Sequence, residues 1–288
     1  MIAGEFEFCA PKTLAEALAL LGTHGSACKL LAGGMTLVPV MTLGLAQPAV
    51  VVSLNHLSGL DGVEDAGGVL RLGAMLRHAT VAKHPSIREH LPLLAAAAAG
   101  IGDVQVRHRG TLGGSLVHAE PAADYLSATA TLGARLCVRS TRGERWLTTS
   151  EFFVDVMTTA LAPDEILTAI EIPKQPAGSG SAHKTLRRVE GAFPIVLASA
   201  AIGPGLAPAR VGIGGVGPRP VVLDVADELR RGAGDAALAA IGDRAFEAAQ
   251  HALTDLNGSG AYRREMARVY AKRAVTEALA NLRAGGRS

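Results

Sequence analysis

The chain has 288 residues, enough for one to three domains with a sizeable core. Hydrophobic residues at 49% and charged residues at 19% describe a folded globular protein, not a disordered one. A net charge of +2 and 3% aromatics exclude the basic face or stacking platform of a nucleic-acid binder, and three scattered cysteines without C-x-x-C exclude an in-chain iron–sulfur cluster.

Thr13-Leu-Ala-Glu16 is a capping box, followed at helical spacing by Leu14, Ala17, Leu18 and Leu21, with Gly22 as the expected helix stop. The apolar run Ala27 to Ala32 suits a buried strand that stops at Gly33-Gly34; Thr36 to Leu43 carries a second apolar pattern. Val50 to Leu54 is a β-branched strand. From Leu60 the chain turns to short strands around Gly62-Val63 and Gly68 to Gly73. A helix is expected from Thr80 to about Pro85, and a tightly packed small-residue helix from Leu91 to Gly100. Arg135 to Ser140 and Arg145 to Leu147 read as paired strands around Thr141-Arg142-Gly143, and Ile166 to Ile172 as another strand.

The segment Lys174 to Ser181 is rich in Pro, Gly and Ser and marks a domain boundary. Strands at Val196 to Ile202 and Ala209 to Ile213 follow, then helices at Leu238 to Leu253 and Tyr262 to Leu282. The basic side of the last helix (Arg263, Arg264, Arg268, Lys272, Arg273) is expected to be solvated or subunit-facing. His84 and His90 fall on opposite helix faces, so no metal site is expected there. The opening residues carry acids and no basic region, and the most apolar stretch, Leu91 to Ile101, is too short for a bilayer. The expectation is a cytoplasmic protein with no transmembrane segment.

Two loops resemble each other: Leu31-Ala-Gly-Gly-Met-Thr36 and Arg109-Gly-Thr-Leu-Gly-Gly-Ser115. Adjacent glycines with a hydroxyl nearby can curl their N–H groups into a nest around one anion, and two nests could hold a diphosphate without many lysines. Each loop alone reads more readily as an ordinary tight turn of a glycine-rich α/β protein. A third glycine run, Gly212-Ile-Gly-Gly-Val-Gly217, matches G-x-G-x-x-G, but Pro218-Arg-Pro220 follows where the dinucleotide fingerprint needs a helix. It is expected to be a strand-end turn.

Leu31-Ala-Gly-Gly-Met-Thr-Leu-Val-Pro-Val-Met41 followed by Val106-Arg-His-Arg-Gly-Thr-Leu-Gly-Gly-Ser-Leu-Val-His-Ala-Glu-Pro-Ala-Ala-Asp124 resembles the FAD-binding medium subunits of the molybdenum hydroxylases, the family of carbon monoxide dehydrogenase medium chains and xanthine dehydrogenase flavin domains. Asp164 to Pro173, Lys184-Thr-Leu-Arg-Arg188 and Gly214 to Pro220 extend the resemblance in order along nearly the whole chain. It implies an α+β protein: a two-part FAD-binding domain of the vanillyl-alcohol-oxidase (PCMH) type at 1–175, with subdomains of about 1–56 and 57–175, then a smaller α+β domain at 182–288.

By motif match, Ala32, Gly33, Gly34, Met35 and Thr36 with Thr111, Leu112, Gly113, Gly114 and Ser115 would cradle the FAD diphosphate. Asp124 would accept from sugar or ribityl hydroxyls, Lys184 would stand near the flavin, Leu167 would make an apolar contact, and Phe193 would lie beside the isoalloxazine. The sequence departs from the family at Met35 (usually polar), Ser115 (usually Asn) and Glu120 (usually Asp).

The implied role is electron transfer. Electrons leave a large molybdopterin-binding subunit, pass through a small [2Fe–2S] subunit and reach this FAD, in an (αβγ)2 assembly; no catalytic acid or base is required in this chain. Two alternatives stand beside it: a free-standing reductase of the UDP-N-acetylenolpyruvoylglucosamine reductase type, and a non-catalytic assembly protein whose glycine loops are only turns.

Overall fold

The computed structural model describes residues 4–285. Near the N-terminus, β1 (Glu7–Cys9), α1 (Leu14–His24), β2 (Cys28–Leu31), α2 (Leu37–Thr42) and β3 (Val50–Ser53) form a three-stranded parallel sheet in the order β1-β3-β2. Both halves of the expected capping box close on α1: the Thr13 hydroxyl accepts from the Glu16 N–H at 3.2 Å, and the Glu16 carboxylate reaches back. The helix runs past Gly22 and stops at Gly25, whose φ of 51° is a backbone conformation that residues with a side chain rarely adopt.

The second unit is built on β4 (Val63–Asp65), β5 (Val69–Gly73), α3 (His78–Lys83), α4 (Pro85–His90), α5 (Pro92–Ala99), α6 (Val104–Arg109), α7 (Leu112–His118), α8 (Asp124–Leu132), β6 (Arg135–Ser140), β7 (Gly143–Thr148), α9 (Thr149–Phe152), the short pair β8 (Phe153–Asp155) and β9 (Thr158–Thr159), and β10 (Ile166–Pro173). Its antiparallel sheet runs β4-β5-β10-β6-β7. The stretch from Ile101 to Ala134, to which hydropathy assigns no element, folds into the three helices α6 to α8.

The third unit is the antiparallel meander β11 (Gly180–Leu186), β12 (Val196–Ile202), β13 (Ala209–Gly214) and β14 (Val221–Asp224), followed by α10 (Ala226–Arg230), α11 (Asp235–Ala248) and α12 (Gly260–Gly285). The long helix α12 lays Ala267, Ala271, Ala274, Val275 and Ala278 on the sheet, small side chains that allow close approach. Its basic side is not uniformly solvated as the sequence suggests. Arg263 is buried, donating to the carbonyls of Ile195 and Gly215, because those turn carbonyls have no strand partner left to satisfy them.

Helix α8 is the pivot of the fold. Every one of its residues is buried, because α5 and the second unit's core cover one side while β12 and β13 cover the other. A helix enclosed this way needs small residues, and its hydroxyls turn back on the main chain: Thr129 Oγ1 donates to the Tyr125 carbonyl and Thr131 Oγ1 to that of Ser127, each at 2.7 Å. The third glycine run serves the same packing. A Cβ at Gly212 would overlap Thr131 Oγ1, and one at Gly215 (φ 76°) would lie 2.6 Å from the Ile195 carbonyl oxygen. As expected, β13 ends there in a turn and no helix follows.

Candidate functional site

The two glycine bends meet. The first follows β2; the second joins α6 to α7. A Cβ at Gly33 would overlap the Arg109 carbonyl and come within 2.7 Å of the Gly110 Cα, while one at Gly114 would lie 3.6 Å from the Ala32 Cβ. Asn55, just after β3, donates from Nδ2 to the Ala32 carbonyl at 2.9 Å. Its Oδ1 accepts from Arg77 Nη2 at 2.8 Å, and Arg77 Nη1 donates to the Arg109 carbonyl. One amide and one guanidinium therefore tie both bends together.

Their backbone chemistry differs. The N–H groups of Gly33, Gly34, Met35 and Thr36 find no acceptor among the described residues, so this bend presents a run of free donors. The second bend is not the open nest expected from its glycines. The Leu112 N–H donates to the Leu76 carbonyl at 2.8 Å, that of Gly113 to Ala74 at 2.7 Å, and that of Gly114 to its own cap, Thr111 Oγ1, at 3.1 Å. Sealing α7 onto the β5–α3 connection consumes these donors. A Cβ at Gly113 would fall 2.6 Å from that of Ala74, which explains the glycine as close packing.

Both bends line a cleft of about 670 Å³, the size range of a cofactor site. Ala32, Gly33, Gly34, Met35, Thr36, Thr111, Gly113, Gly114, Ser115, Asp124, Leu167 and Phe193 all border it. Two of the residues selected by sequence do not. Leu112 is fully buried in the core of the second unit, because the first turn of α7 points it inward. Lys184 lies on the opposite face of β11, paired with Glu277 of α12 in a separate surface groove. Strand alternation decides this: Ala182 and Leu186 pack toward the third unit's core, and Lys184 shares their face. Arg187, of the opposite strand parity, does border the cleft, as does Lys29 of β2; neither is selected by the motif match.

Arg187 donates from Nη2 to Asp124 Oδ1 at 2.6 Å and from Nη1 to the Ala192 carbonyl at 2.5 Å, holding the loop that carries Phe193. His183 Nε2 lies 3.0 Å from the same Oδ1. Also missed were His78 and Tyr125. His78, buried on the cleft wall, bonds through Nδ1 to the Tyr125 hydroxyl at 3.2 Å, and burial pushes its imidazole down to about 4. The same burial raises the Tyr125 phenol, so its proton stays on. On the opposite rim Arg145 grips Glu165 at 2.8 and 2.7 Å, which lowers the Glu165 carboxyl, and Glu165 accepts from the Ala162 N–H at 2.8 Å. That grip fixes Leu161 to Glu165 as one wall. Among the described residues no group of three or more His, Cys, Asp or Glu could hold a metal, and no helix is long and apolar enough to cross a membrane.

Residues 4–175 match the family described as the FAD binding domain in molybdopterin dehydrogenase, and residues 181–278 match the CO dehydrogenase flavoprotein C-terminal domain. The chain belongs to this FAD-binding family. It is 33% identical to the nicotine 6-hydroxylase medium subunit of Paenarthrobacter nicotinovorans over 94% of this chain and 96% of that one. It is 30% identical to the carbon monoxide dehydrogenase medium chain of Afipia carboxidovorans over 97% and 99%. The carbon monoxide dehydrogenase structure from Hydrogenophaga pseudoflava superposes with a TM-score of 0.91 at 33% identity, covering 98% of this chain and 99% of that one. The site fits FAD on its own terms: free main-chain donors suit a diphosphate, the cradle at Gly33 has no room for a Cβ, and the apolar walls suit a flat ring.

Proposed function

We propose that this chain is the flavin-bearing electron-transfer subunit of a molybdenum hydroxylase, taking electrons from the [2Fe–2S] clusters of a small partner chain and passing them to an external acceptor. A large molybdopterin-binding subunit would carry out the substrate chemistry, in an (αβγ)2 assembly. Residues 1–175 would carry the flavin and 182–288 would close over it. The observation that carries the reading is the meeting of the two glycine bends on one cleft, with the first bend's amides free.

Bound FAD supplies the ability to accept electrons singly and release them in pairs. The chain's own residues do the rest. Gly33 to Thr36 would donate to the diphosphate, Thr111 and Ser115 would add hydroxyls, and Asp124 would accept from the cofactor's hydroxyls. Leu167 and Phe193 would contact the ring system, while Arg187 would place a positive charge on the cleft wall near it. The relatives named above support the partner assignment, since they are medium subunits or chains of hydroxylases and dehydrogenases. The three cysteines are unpaired among the described residues, which supports a cytoplasmic setting.

The test is reconstitution. The full chain is expected to take up FAD, to oxidise no substrate unaided, and to have its flavin bleached by substrate only when assembled with the two partner chains. Oxidation of NADPH by the isolated flavin-loaded chain would favour the free-standing reductase. Failure to bind FAD at all would leave the assembly-protein reading.

A further inference from the structure

Asp124 is almost fully buried, yet it stands on the cleft wall, and its two oxygens are treated differently. Oδ1 receives two donors, Arg187 Nη2 at 2.6 Å and His183 Nε2 at 3.0 Å. Oδ2 has no partner among the described residues. The ring of His183 continues the chain of bonds inward. Its Nδ1 lies 2.9 Å from Ser199 Oγ, and Ser199 Oγ lies 2.9 Å from Ser127 Oγ, one turn along α8 from Asp124. His183 and Ser199 are directly opposed across β11 and β12.

The proton positions follow from chemistry. An ionised carboxylate only accepts, so Nε2 carries a proton toward Asp124. With Nε2 donating to Asp124, Nδ1 meets the Ser199 hydroxyl, and Ser199 in turn meets Ser127, whose hydroxyl also reaches the Asp124 carbonyl at 3.4 Å. The network bridges two units: Asp124 and Ser127 belong to α8, His183 and Ser199 to the third unit's sheet. The side chains of His183 and Asp124 are 4% and 3% exposed, so water competes little for these bonds.

We propose that His183 is a positioning residue for the cofactor. Anchored by Ser199, it pins Oδ1 of Asp124 so that Oδ2 faces the cleft in one fixed orientation as an acceptor for a cofactor hydroxyl. The third unit thereby sets FAD affinity through a residue that does not itself border the cleft. This rests on the FAD reading above. An unpinned Asp124 would have to order its side chain on binding, and preorganisation removes that cost.

The experiment is a fluorescence titration of the full chain with FAD, alongside thermal unfolding, for wild type, His183→Phe, His183→Gln, Asp124→Asn and the double variant His183→Phe/Asp124→Asn. We expect His183→Phe to weaken FAD by about tenfold or more, and His183→Gln, which keeps an N–H donor, to recover most of the loss. In the Asp124→Asn background the Phe substitution is expected to add less than about twofold. An equal loss in both backgrounds would make His183 merely structural and overturn the proposal. Should His183→Phe not fold, Ser199→Ala, measured in the same two backgrounds, carries the comparison, with a smaller loss confined to the Asp124 chain. If wild type binds FAD and Asp124→Asn binds it equally well, the positioning role falls while the flavin reading stands. If wild type binds none, the flavin reading itself falls.

Discussion

Arg77 donates to Asn55 Oδ1 at 2.8 Å, and this single pairing joins the two halves of the cleft. Asn55 belongs to the end of the parallel sheet and holds the Ala32 carbonyl; Arg77 precedes α3 and holds the Arg109 carbonyl. Neither residue is part of a glycine motif, yet the motifs meet because of them. Arg77→Ala should leave the Asn55 amide oxygen and the Arg109 carbonyl unpaired, costing about 1.5–3 kcal/mol. The expected result is a lower urea midpoint together with weaker FAD binding. Arg77→Lys should recover only part of both, since an ammonium cannot span two acceptors as a planar fork does. Unchanged FAD affinity in a folded Arg77→Ala chain would show that the bends hold together without this pairing.

Gly33→Ala should act almost entirely on the cofactor. The added methyl would overlap the Arg109 carbonyl, so the bends must separate by a fraction of an ångström or more. Flavin content after purification should collapse while the far-ultraviolet circular dichroism stays native, because the residue lies in the contact between the two bends and outside every strand and helix. Gly22→Ala is the matched control. Gly22 lies inside α1 with open space around its Cα, so alanine should stabilise by about 0.5–1 kcal/mol and leave flavin content unchanged.

What could be read from the sequence was local. The Thr13–Glu16 capping box, the β6–β7 hairpin at Ser140–Gly143 and the strand Val196–Ile202 need only neighbouring residues to specify them, and each stands where its pattern indicates. The helices α6 to α8 were not legible. A helix covered on all sides has no polar face, so α8 shows no amphipathic period, and its Ser and Thr residues read as loop. Gly22 looked like a helix stop because the pattern ends there; the chain instead continued one more half-turn to a residue with positive φ. In the cleft the glycine bends were visible as motifs, but their unequal supply of free amides depends on Leu76 and Ala74, which lie more than thirty residues upstream of their partners on α7.

Lys184 illustrates the same limit, and it yields a test. Motif matching selects the lysine, but strand parity turns it toward α12 and leaves His183 and Arg187 on the face toward Asp124. Its pair with Glu277 is partly solvated, and such pairs contribute about 0–1 kcal/mol. Lys184→Ala should therefore change neither FAD affinity nor stability beyond that range. Arg187→Ala should lower FAD affinity and loosen the Phe193 loop, seen as faster proteolysis between Arg188 and Phe193. A Lys184→Ala chain that loses flavin would show that the lysine reaches the cofactor after all.

His78 should give the chain a pH-dependent stability. Burial is the main cause of its depressed imidazole, with Arg77 and Arg107 adding to it and Asp124 opposing. The folded value is about 4 against an ordinary 6.5, so between those two values the unfolded chain binds more protons than the folded one. Stability contributed by the neutral ring is complete above pH 6.5 and is lost as the pH falls toward 4, by on the order of 3 kcal/mol across the window. Carboxylates such as Glu165, held low by Arg145, act in the same direction but only nearer pH 4, so the two contributions separate along the pH axis. His78→Gln can still reach the Tyr125 hydroxyl but cannot take up a proton. Urea unfolding of both chains at pH 7, 6, 5 and 4.5 should show the wild type losing stability from pH 6.5 downward and the variant staying nearly level until the carboxylates titrate. Parallel curves for the two chains would mean that His78 carries no proton-linked stability, and that its ring is far better solvated than its place between Tyr125 and Gly110 allows.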